Sequence, residues 1–180
     1  LLPLPGSTRL YASDLSGRVF LFDGPDRFRL ALVAERKLGD FALGLAPDPS
    51  GGVWAAASSG GEAGWKRGES RLVRLGPGLE PLAEAKVGLP CINGLCLDIE
   101  GALWLASSDF DLAFPDGILY RVGPPGLRAI EAGSEARPQA ILSGGLFNGL
   151  FALSGGGVLA GDTLGAIYRV EGRELAEASG

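Results

Sequence analysis

The stretch Ile92 to Val122, INGLCLDIEGALWLASSDFDLAFPDGILYRV, decides the fold of this 180-residue chain. It contains three short apolar runs separated by turns, with Trp104 in the second run. The same pattern returns at 147–170 as FNGLFALSGGGVLAGDTLGAIYRV, and weaker copies lie at 42–75 and 10–22. Short apolar runs bounded by glycine, proline and aspartate are typical of β-strands.

The period of this repeat predicts an all-β fold, a β-propeller. The second strand of each unit begins at Leu10, Val53, Leu103 and Val158, so the intervals are 43, 50 and 55 residues. A third strand follows in each unit, and a fourth is expected at 29–34, 79–85, 127–132 and 174–178. Four-stranded antiparallel units recurring at this spacing are propeller blades. An immunoglobulin-like sandwich is the alternative, but it would not repeat its own sequence.

About four blades are expected in a single domain over residues 1–180, with repeat units at about 8–34, 41–86, 92–133 and 147–178. The first unit lacks an opening strand, because Leu1 to Ser7 is rich in proline. The count leaves three arrangements open: a closed four-bladed ring, part of a six-bladed ring, or a ring completed by self-association. An open set of blades would leave unpaired edges and apolar faces exposed.

Composition excludes several functions. The chain has no histidine, which removes Ser-His-Asp and Cys-His catalysis and histidine-ligated zinc. Its two cysteines, Cys91 and Cys96, are too few for a thiolate zinc site and are expected in a loop and in the core. The net charge of −5 and the scattered basic residues argue against a nucleic-acid partner.

The sequence also bears on location. No apolar run approaches the ~18–20 residues needed to cross a bilayer, so a soluble chain without a membrane partner is expected. The chain begins at Leu1 rather than methionine, which indicates a processed product or a fragment of a longer one. Both a cytoplasmic location and export after removal of a signal peptide stay open.

Asn93 and Asn148 are the only asparagines in the chain, and both occupy the same position of the repeat. Two amide oxygens directed at the channel mouth would suit a hard cation or a sugar-like ligand. The alternative is structural, since Asn-Gly readily forms a turn in which the asparagine side chain bonds the backbone. We therefore predict that both residues bind a metal and a small polar ligand.

Two loops supply further candidates. Asp109, Asp111 and Asp116 share one loop, and their D-x-D and D-G spacing is similar to a calcium loop but lacks the full EF-hand pattern. They are candidate catalytic residues, one of them acting as a base; a packed surface loop is the alternative. Trp65 lies in the glycine-rich loop 58–68, which forms either a ligand-binding lid over the mouth or a mobile surface loop. That loop lacks the Gly-Lys-Ser/Thr ending of phosphate-binding loops.

One blade motif resembles a known family. The pattern Asn-Gly-Leu-x-x-Asp-x-x-Gly-x-Leu-Trp-x-Ala, which begins at Asn93 and is followed by Ile-Leu-Tyr-Arg-Val, resembles the blade motif of the gluconolactonase/regucalcin family and of strictosidine synthase-like proteins. The copy that begins at Phe147 is similar to the same motif. The resemblance covers residues 42–172 well and 8–34 loosely.

The resemblance implies a six-bladed propeller that holds a divalent metal, usually calcium, at the channel mouth. In the lactonases the metal polarises a lactone carbonyl and a carboxylate activates water. Asn93 and Asn148 fall on the family's asparagine position. Leu43 occupies that position in the second unit. The acidic ligand that the family carries at that position in another blade has no counterpart, and neither has the glutamate of the strictosidine synthase-like branch.

Taken together, these features favour a gluconolactonase-like propeller that binds a divalent cation and a small polar ligand at the channel mouth. Hydrolysis of a lactone or ester by a metal-dependent mechanism is the expected chemistry. The alternative is a non-catalytic ligand- or protein-binding scaffold, or a truncated set of blades.

Overall fold

The computed structural model describes residues 1–4, 6–26, 28–59, 69–108 and 117–171. These residues form short strands and one helix, α1, which spans Pro124–Glu131 between β11 and β12. The strands are β1 Leu2–Pro3, β2 Leu10–Ser13, β3 Arg18–Asp23, β4 Ala31–Lys37, β5 Phe41–Pro47, β6 Val53–Ser58, β7 Ser70–Leu75, β8 Pro81–Lys86, β9 Ile92–Leu97, β10 Leu103–Ser107, β11 Gly117–Val122, β12 Gln139–Gly145, β13 Phe147–Ala152, β14 Val158–Asp162 and β15 Ile167–Val170.

The strands form four antiparallel sheets, which are the blades of a β-propeller. Strands β1–β4 form blade 1, β5–β8 blade 2, β9–β12 blade 3 and β13–β15 blade 4. The predicted fold class, an all-β propeller with about four blades in this chain, is confirmed. Blade 4 has three strands within the described residues, and the fourth strand predicted at 174–178 lies outside them.

The prediction that the first unit lacks an opening strand is wrong. Leu2 pairs with Tyr11 and Pro3 pairs with Leu10, so β1 occupies the inner edge of blade 1. A proline is tolerated there because an edge strand has a neighbour on one side only, and its missing N–H can face away from the sheet.

The strand predicted at 127–132 is also wrong, because this segment is part of α1. Pro124 stands at the helix start, where a missing N–H breaks no intrahelical bond. Leu127 and Ile130, three residues apart, bury the same helix face against the core. The fourth strand of blade 3 is instead β12, which pairs with β11.

Packing between consecutive blades forms the core. Three hydrophobic clusters join blades 1 and 2, blades 2 and 3, and blades 3 and 4. None of the three clusters, which comprise described residues only, includes both blade 1 and blade 4. The best-buried members include Tyr11, Val53, Leu75, Trp54, Leu105, Ile130, Trp104, Phe147 and Val158.

A buried aspartate closes the first hairpin of blade 3. The Asp98 carboxylate accepts hydrogen bonds from the backbone N–H groups of Glu100 and Ala102, at 2.9 and 2.8 Å. It also accepts one from Nε1 of Trp104 at 2.7 Å, which ties the turn to the centre of the blade. In blade 2 the equivalent Asp48 accepts from Arg74 instead, at 2.6 Å. Asp48 also accepts from the backbone N–H of Ser50 at 3.2 Å, so each carboxylate holds the first hairpin turn of its blade.

No helix in the described part of the chain is both long and apolar enough to pass through a membrane.

We predict that Trp104→Phe lowers the free energy of unfolding by about 1–3 kcal/mol more than Trp54→Phe does. Both substitutions shrink a buried indole at equivalent positions, but only Trp104→Phe removes a hydrogen bond to a buried carboxylate. Urea denaturation of the two variants measures the difference. Equal losses would show that the indole–carboxylate bond contributes nothing beyond ring packing.

Candidate functional site

The predicted asparagines lie at one end of the blades, where the inner strands begin. Asn93 is the second residue of β9, and Asn148 is the second residue of β13. Because each sheet is antiparallel, the second strand of each blade ends beside the start of the inner strand: Ser107 pairs with Ile92, and Asp162 with Phe147. This end of the propeller is the mouth.

The Asn93 side chain is anchored through its NH₂ group. Its Nδ2 donates to Oγ of Ser108 at 3.1 Å and to the backbone oxygen of Phe147 at 3.4 Å. A backbone carbonyl can only accept, so it requires Nδ2 rather than Oδ1 on that side. The Oδ1 atom is buried and has no hydrogen-bond partner among the described residues. A buried acceptor without a donor is uncommon in folded proteins.

Asn148 is held in the same manner. Its Nδ2 donates to Oγ1 of Thr163, whose hydroxyl in turn donates to the backbone oxygen of Leu146 at 3.1 Å. The Asn148 side chain is exposed, and within the described residues nothing donates to its Oδ1. Both asparagines therefore turn their NH₂ groups toward the protein, and neither amide oxygen accepts a hydrogen bond from a described residue.

The residues that orient the two asparagines were not foreseen from the sequence. Ser108 and Thr163 each follow their asparagine by 15 residues. Ser58 follows Leu43 by the same interval, but its Oγ lies 2.7 Å from Oγ of Ser70 instead. The signal for these residues in the sequence is a hydroxyl side chain that follows each inner-strand asparagine after the same number of residues.

Close packing of the inner strands brings the two asparagines onto neighbouring strands. A Cβ placed on Gly94 would lie 2.6 Å from the backbone oxygen of Asn148, and one on Gly44 would lie 2.8 Å from Leu95. At Gly94, only glycine permits this approach of backbone to backbone. The Asn93-Gly94 pair thus serves two purposes, because the asparagine side chain reaches the mouth while the glycine admits the next strand.

Leu43 interrupts the series of polar side chains at the mouth. It precedes Gly44 as Asn93 precedes Gly94, and its backbone oxygen accepts a hydrogen bond from Ser13 at 3.0 Å. Its side chain supplies no ligand atom, so blade 2 adds no amide oxygen to those of Asn93 and Asn148.

The two cysteines do not add chemistry to the mouth. Cys91 and Cys96 are free and buried. Burial raises the pKa of each thiol to about 12, with the charge of Asp98 as a further cause for Cys96. Both thiols therefore stay protonated near neutral pH and are unsuited to be nucleophiles or metal ligands.

The loop candidates lie outside the described residues. Asp109, Asp111 and Asp116 belong to the segment 109–116, and Trp65 belongs to 60–68. Their predicted roles therefore stay predictions. Within the described residues, no group of three or more His, Cys, Asp and Glu side chains could hold a metal ion.

A groove of about 460 Å³ lies at the opposite end, around the turn between β5 and β6. Three of its charged groups pair with one another, since Arg74 contacts both Asp48 and Glu131. Burial opposes ionisation of Asp48, but hydrogen bonds from Arg74 and Ser50 outweigh burial and hold the pKa of the carboxyl below its ordinary value.

Comparison with solved structures supports the propeller fold. A crystal structure of a candidate gluconolactonase matches with a TM-score of 0.61 and 22% identity, over 96% of this chain and 59% of that one. The WD40 propeller domain of Doa1 matches with a TM-score of 0.53 and 9% identity, over 94% of this chain and 63% of that one. A protein of unknown function from Bacteroides caccae matches with a TM-score of 0.50 and 13% identity, over 96% and 64%.

At these identities the similarity shows the fold alone. The chain spans 59% of the length of the candidate gluconolactonase, which is less than two thirds. No protein-family model matches the sequence, and the comparison with curated proteins found no match.

We predict that Gly94→Ala destabilises the chain by about 1–3 kcal/mol, as overpacking a close contact commonly does. The added methyl group would meet the Asn148 backbone at 2.6 Å, and backbone atoms cannot yield as a flexible side chain can. Gly155→Ala is the control, because nothing lies within 4 Å of the corresponding Cβ position. Thermal unfolding of the two variants tests the contact; if Gly94→Ala is as mild as Gly155→Ala, the inner strands are not closely packed.

Proposed function

We propose that this chain is a gluconolactonase-like propeller that binds a divalent cation, calcium by preference, together with a small polar ligand at the mouth. The observation that supports this proposal is the shared orientation of Asn93 and Asn148. Each amide NH₂ group is bound to the protein, and each amide oxygen lacks a donor among the described residues. Calcium selects neutral and anionic oxygen ligands of this kind.

The two amide oxygens fit a hard cation in type, and by themselves they do not complete its ligand set. Calcium takes six to eight oxygens, and the two amides would provide two of them. Further oxygens would come from the polar ligand, from water and from the predicted loop aspartates. When bound, the cation would act as a Lewis acid on a carbonyl oxygen of a lactone or ester.

The chain's own residues would position the ligand and move a proton. Ser108 and Thr163 hold the two amides in orientation through their hydroxyl groups. A carboxylate is needed to accept a proton from the attacking water, and Asp109, Asp111 and Asp116 are the proposed candidates. Asp109 directly follows Ser108, the residue that binds Asn93, in the sequence. Trp65 is proposed as an apolar contact for the ligand.

A non-catalytic binding propeller is the second candidate. Leu43 stands where a third asparagine would complete the series, and the described residues provide no cluster of carboxylates at the mouth. A propeller with this donor set would bind a cation or a hydroxyl-rich ligand without activating water. The two candidates share the asparagine site and differ in the presence of a base.

We predict that calcium titration by calorimetry gives a binding heat for the wild type. Asn93→Leu should weaken binding about tenfold or more, since even residues that only support metal ligands affect affinity by 10–100-fold. The substitution copies the residue that blade 2 carries at the equivalent position, so the fold should tolerate it.

Ser58→Ala is the control. Ser58 occupies in blade 2 the position that Ser108 occupies in blade 3, but it orients no asparagine. It should leave the calcium heat unchanged. The absence of any heat with the wild type would refute the metal site.

We predict that the chain hydrolyses a small sugar lactone in a pH-stat assay, and that a chelator removes this activity while added calcium restores it. Asp109→Asn, Asp111→Asn and Asp116→Asn identify the base: one of them should lose turnover while it keeps the calcium heat. Calcium binding without lactone hydrolysis would instead support the non-catalytic candidate.

A further inference from the structure

The groove at the end of the propeller opposite the mouth lies between blades 2 and 3. One wall comes from blade 2, with the β5–β6 turn, Trp54 and Arg74, and the other comes from α1 and the end of β9. Pro49, Leu97 and Leu127 give the groove apolar surface. Its volume of about 460 Å³ is within the range of small-molecule sites. The described walls are all formed by residues 48–131, in the middle of the chain.

Trp54 brings to this groove a hydrogen-bond donor that has no acceptor. Its side chain is 2% exposed, and no described residue accepts a hydrogen bond from its Nε1. Among the described residues, the side-chain nitrogens that are both enclosed and unpaired belong to Arg71 and Arg121, so Nε1 of Trp54 is reached by solvent. A buried tryptophan usually finds a partner for its N–H. The unpaired donor of this tryptophan therefore opens on the groove that its side chain lines.

Blade 3 shows what the same indole binds when an acceptor is present. Trp104, at the position equivalent to Trp54, donates to the Asp98 carboxylate at 2.7 Å. In blade 2 both oxygens of the equivalent carboxylate, Asp48, accept hydrogen bonds from Arg74, at 2.6 and 3.2 Å. The Trp54 indole is thus left without the carboxylate that its counterpart binds.

Arg128 adds a positive charge on the other wall. It lies on α1 and is exposed, and its guanidinium forms no hydrogen bond or ion pair with a described residue. The three other charged groups of the groove engage one another, because Arg74 binds Asp48 and Glu131. Among the described lining residues, the polar side chains without any partner are therefore Trp54 and Arg128, and both are donors. A neutral donor beside a cationic one favours a ligand that accepts hydrogen bonds and carries negative charge.

We propose that this groove binds a small organic carboxylate that carries an apolar group. The carboxylate accepts a hydrogen bond from Nε1 of Trp54 and pairs with the Arg128 guanidinium, while the apolar group lies against Leu127. The bond to Trp54 is the one that the equivalent indole of blade 3 makes to its own aspartate. The formal charges of the groove sum to zero, so a single negative charge fits it better than the double charge of a phosphate. This site is separate from the mouth and does not rest on the function proposed there.

Nuclear magnetic resonance of the full chain with isotope-labelled tryptophan tests the proposal. The chain has three tryptophans, so Trp54→Phe and Trp65→Phe each remove one indole N–H signal and leave Trp104 as the third. Phenylacetate is the probe. It should shift the Trp54 signal downfield in a saturable manner and leave the Trp104 signal in place, because that indole is already bonded to a carboxylate. A chelator should not change this shift, which separates the groove from a metal site at the mouth.

Arg128→Gln measures the contribution of charge. Phenylacetamide keeps the shape and the carbonyl acceptor of the probe but carries no charge. The wild type should therefore prefer phenylacetate about tenfold, since hydrogen bonds to charged groups are the stronger ones. Arg128→Gln should remove this preference. Arg137→Gln is the matched control and should retain it, because Arg137 is also exposed and unpaired among the described residues but does not line the groove.

The proposal is overturned if phenylacetate leaves the Trp54 signal unmoved up to tens of millimolar. It is also overturned if the wild type binds the charged and the neutral probe equally, or if Arg137→Gln weakens phenylacetate binding as much as Arg128→Gln does. A shift that a chelator abolishes would overturn it too, because the carboxylate would then bind at the mouth. None of these outcomes alters the calcium heat, which tests the mouth by itself.

Discussion

The rest of the structure depends on the packing of one sheet face on the next. Blades 1, 2 and 3 each bury an apolar sheet face against the next blade in sequence, and Tyr11, Trp54 and Trp104 fill these three contacts. Four-stranded sheets of this size cannot bury enough apolar surface alone, so the free energy that stabilises the fold arises between blades. The arrangement of the inner strands, and with it the mouth, follows from this contact.

The same contact accounts for the geometry of the candidate site. Because Gly94 has no side chain, β13 can approach β9 closely. This approach brings the Phe147 carbonyl within hydrogen-bond distance of the Asn93 amide. The neighbouring blade thereby decides which atom of Asn93 is left without a partner. The orientation of the Asn93 amide therefore depends on the blade contact as well as on Ser108 of its own blade.

Much of the fold could be predicted from the sequence. Strand alternation, hairpin turns and the spacing of the units are local properties, so the propeller and most strands follow from them. Two features were predicted wrongly because their signals in the sequence are weak. The two-residue strand Leu2–Pro3 was not expected, and a strand was expected where the helix Pro124–Glu131 forms. In the helix, two consecutive prolines and the three-residue spacing of Leu127 and Ile130 were the overlooked evidence.

For the site, the sequence by itself determined that histidine chemistry is absent and that the two asparagines occupy equivalent positions. It also contained the hydroxyl residues 15 positions later. Only the tertiary structure decided that these hydroxyls bind the amide NH₂ groups, and that the Asn93 oxygen is buried without a donor among the described residues. The physical reason is distance along the chain: pleat and turn preferences act between neighbouring residues, whereas hydrogen-bond partners and covered faces depend on residues that folding brings together from different blades.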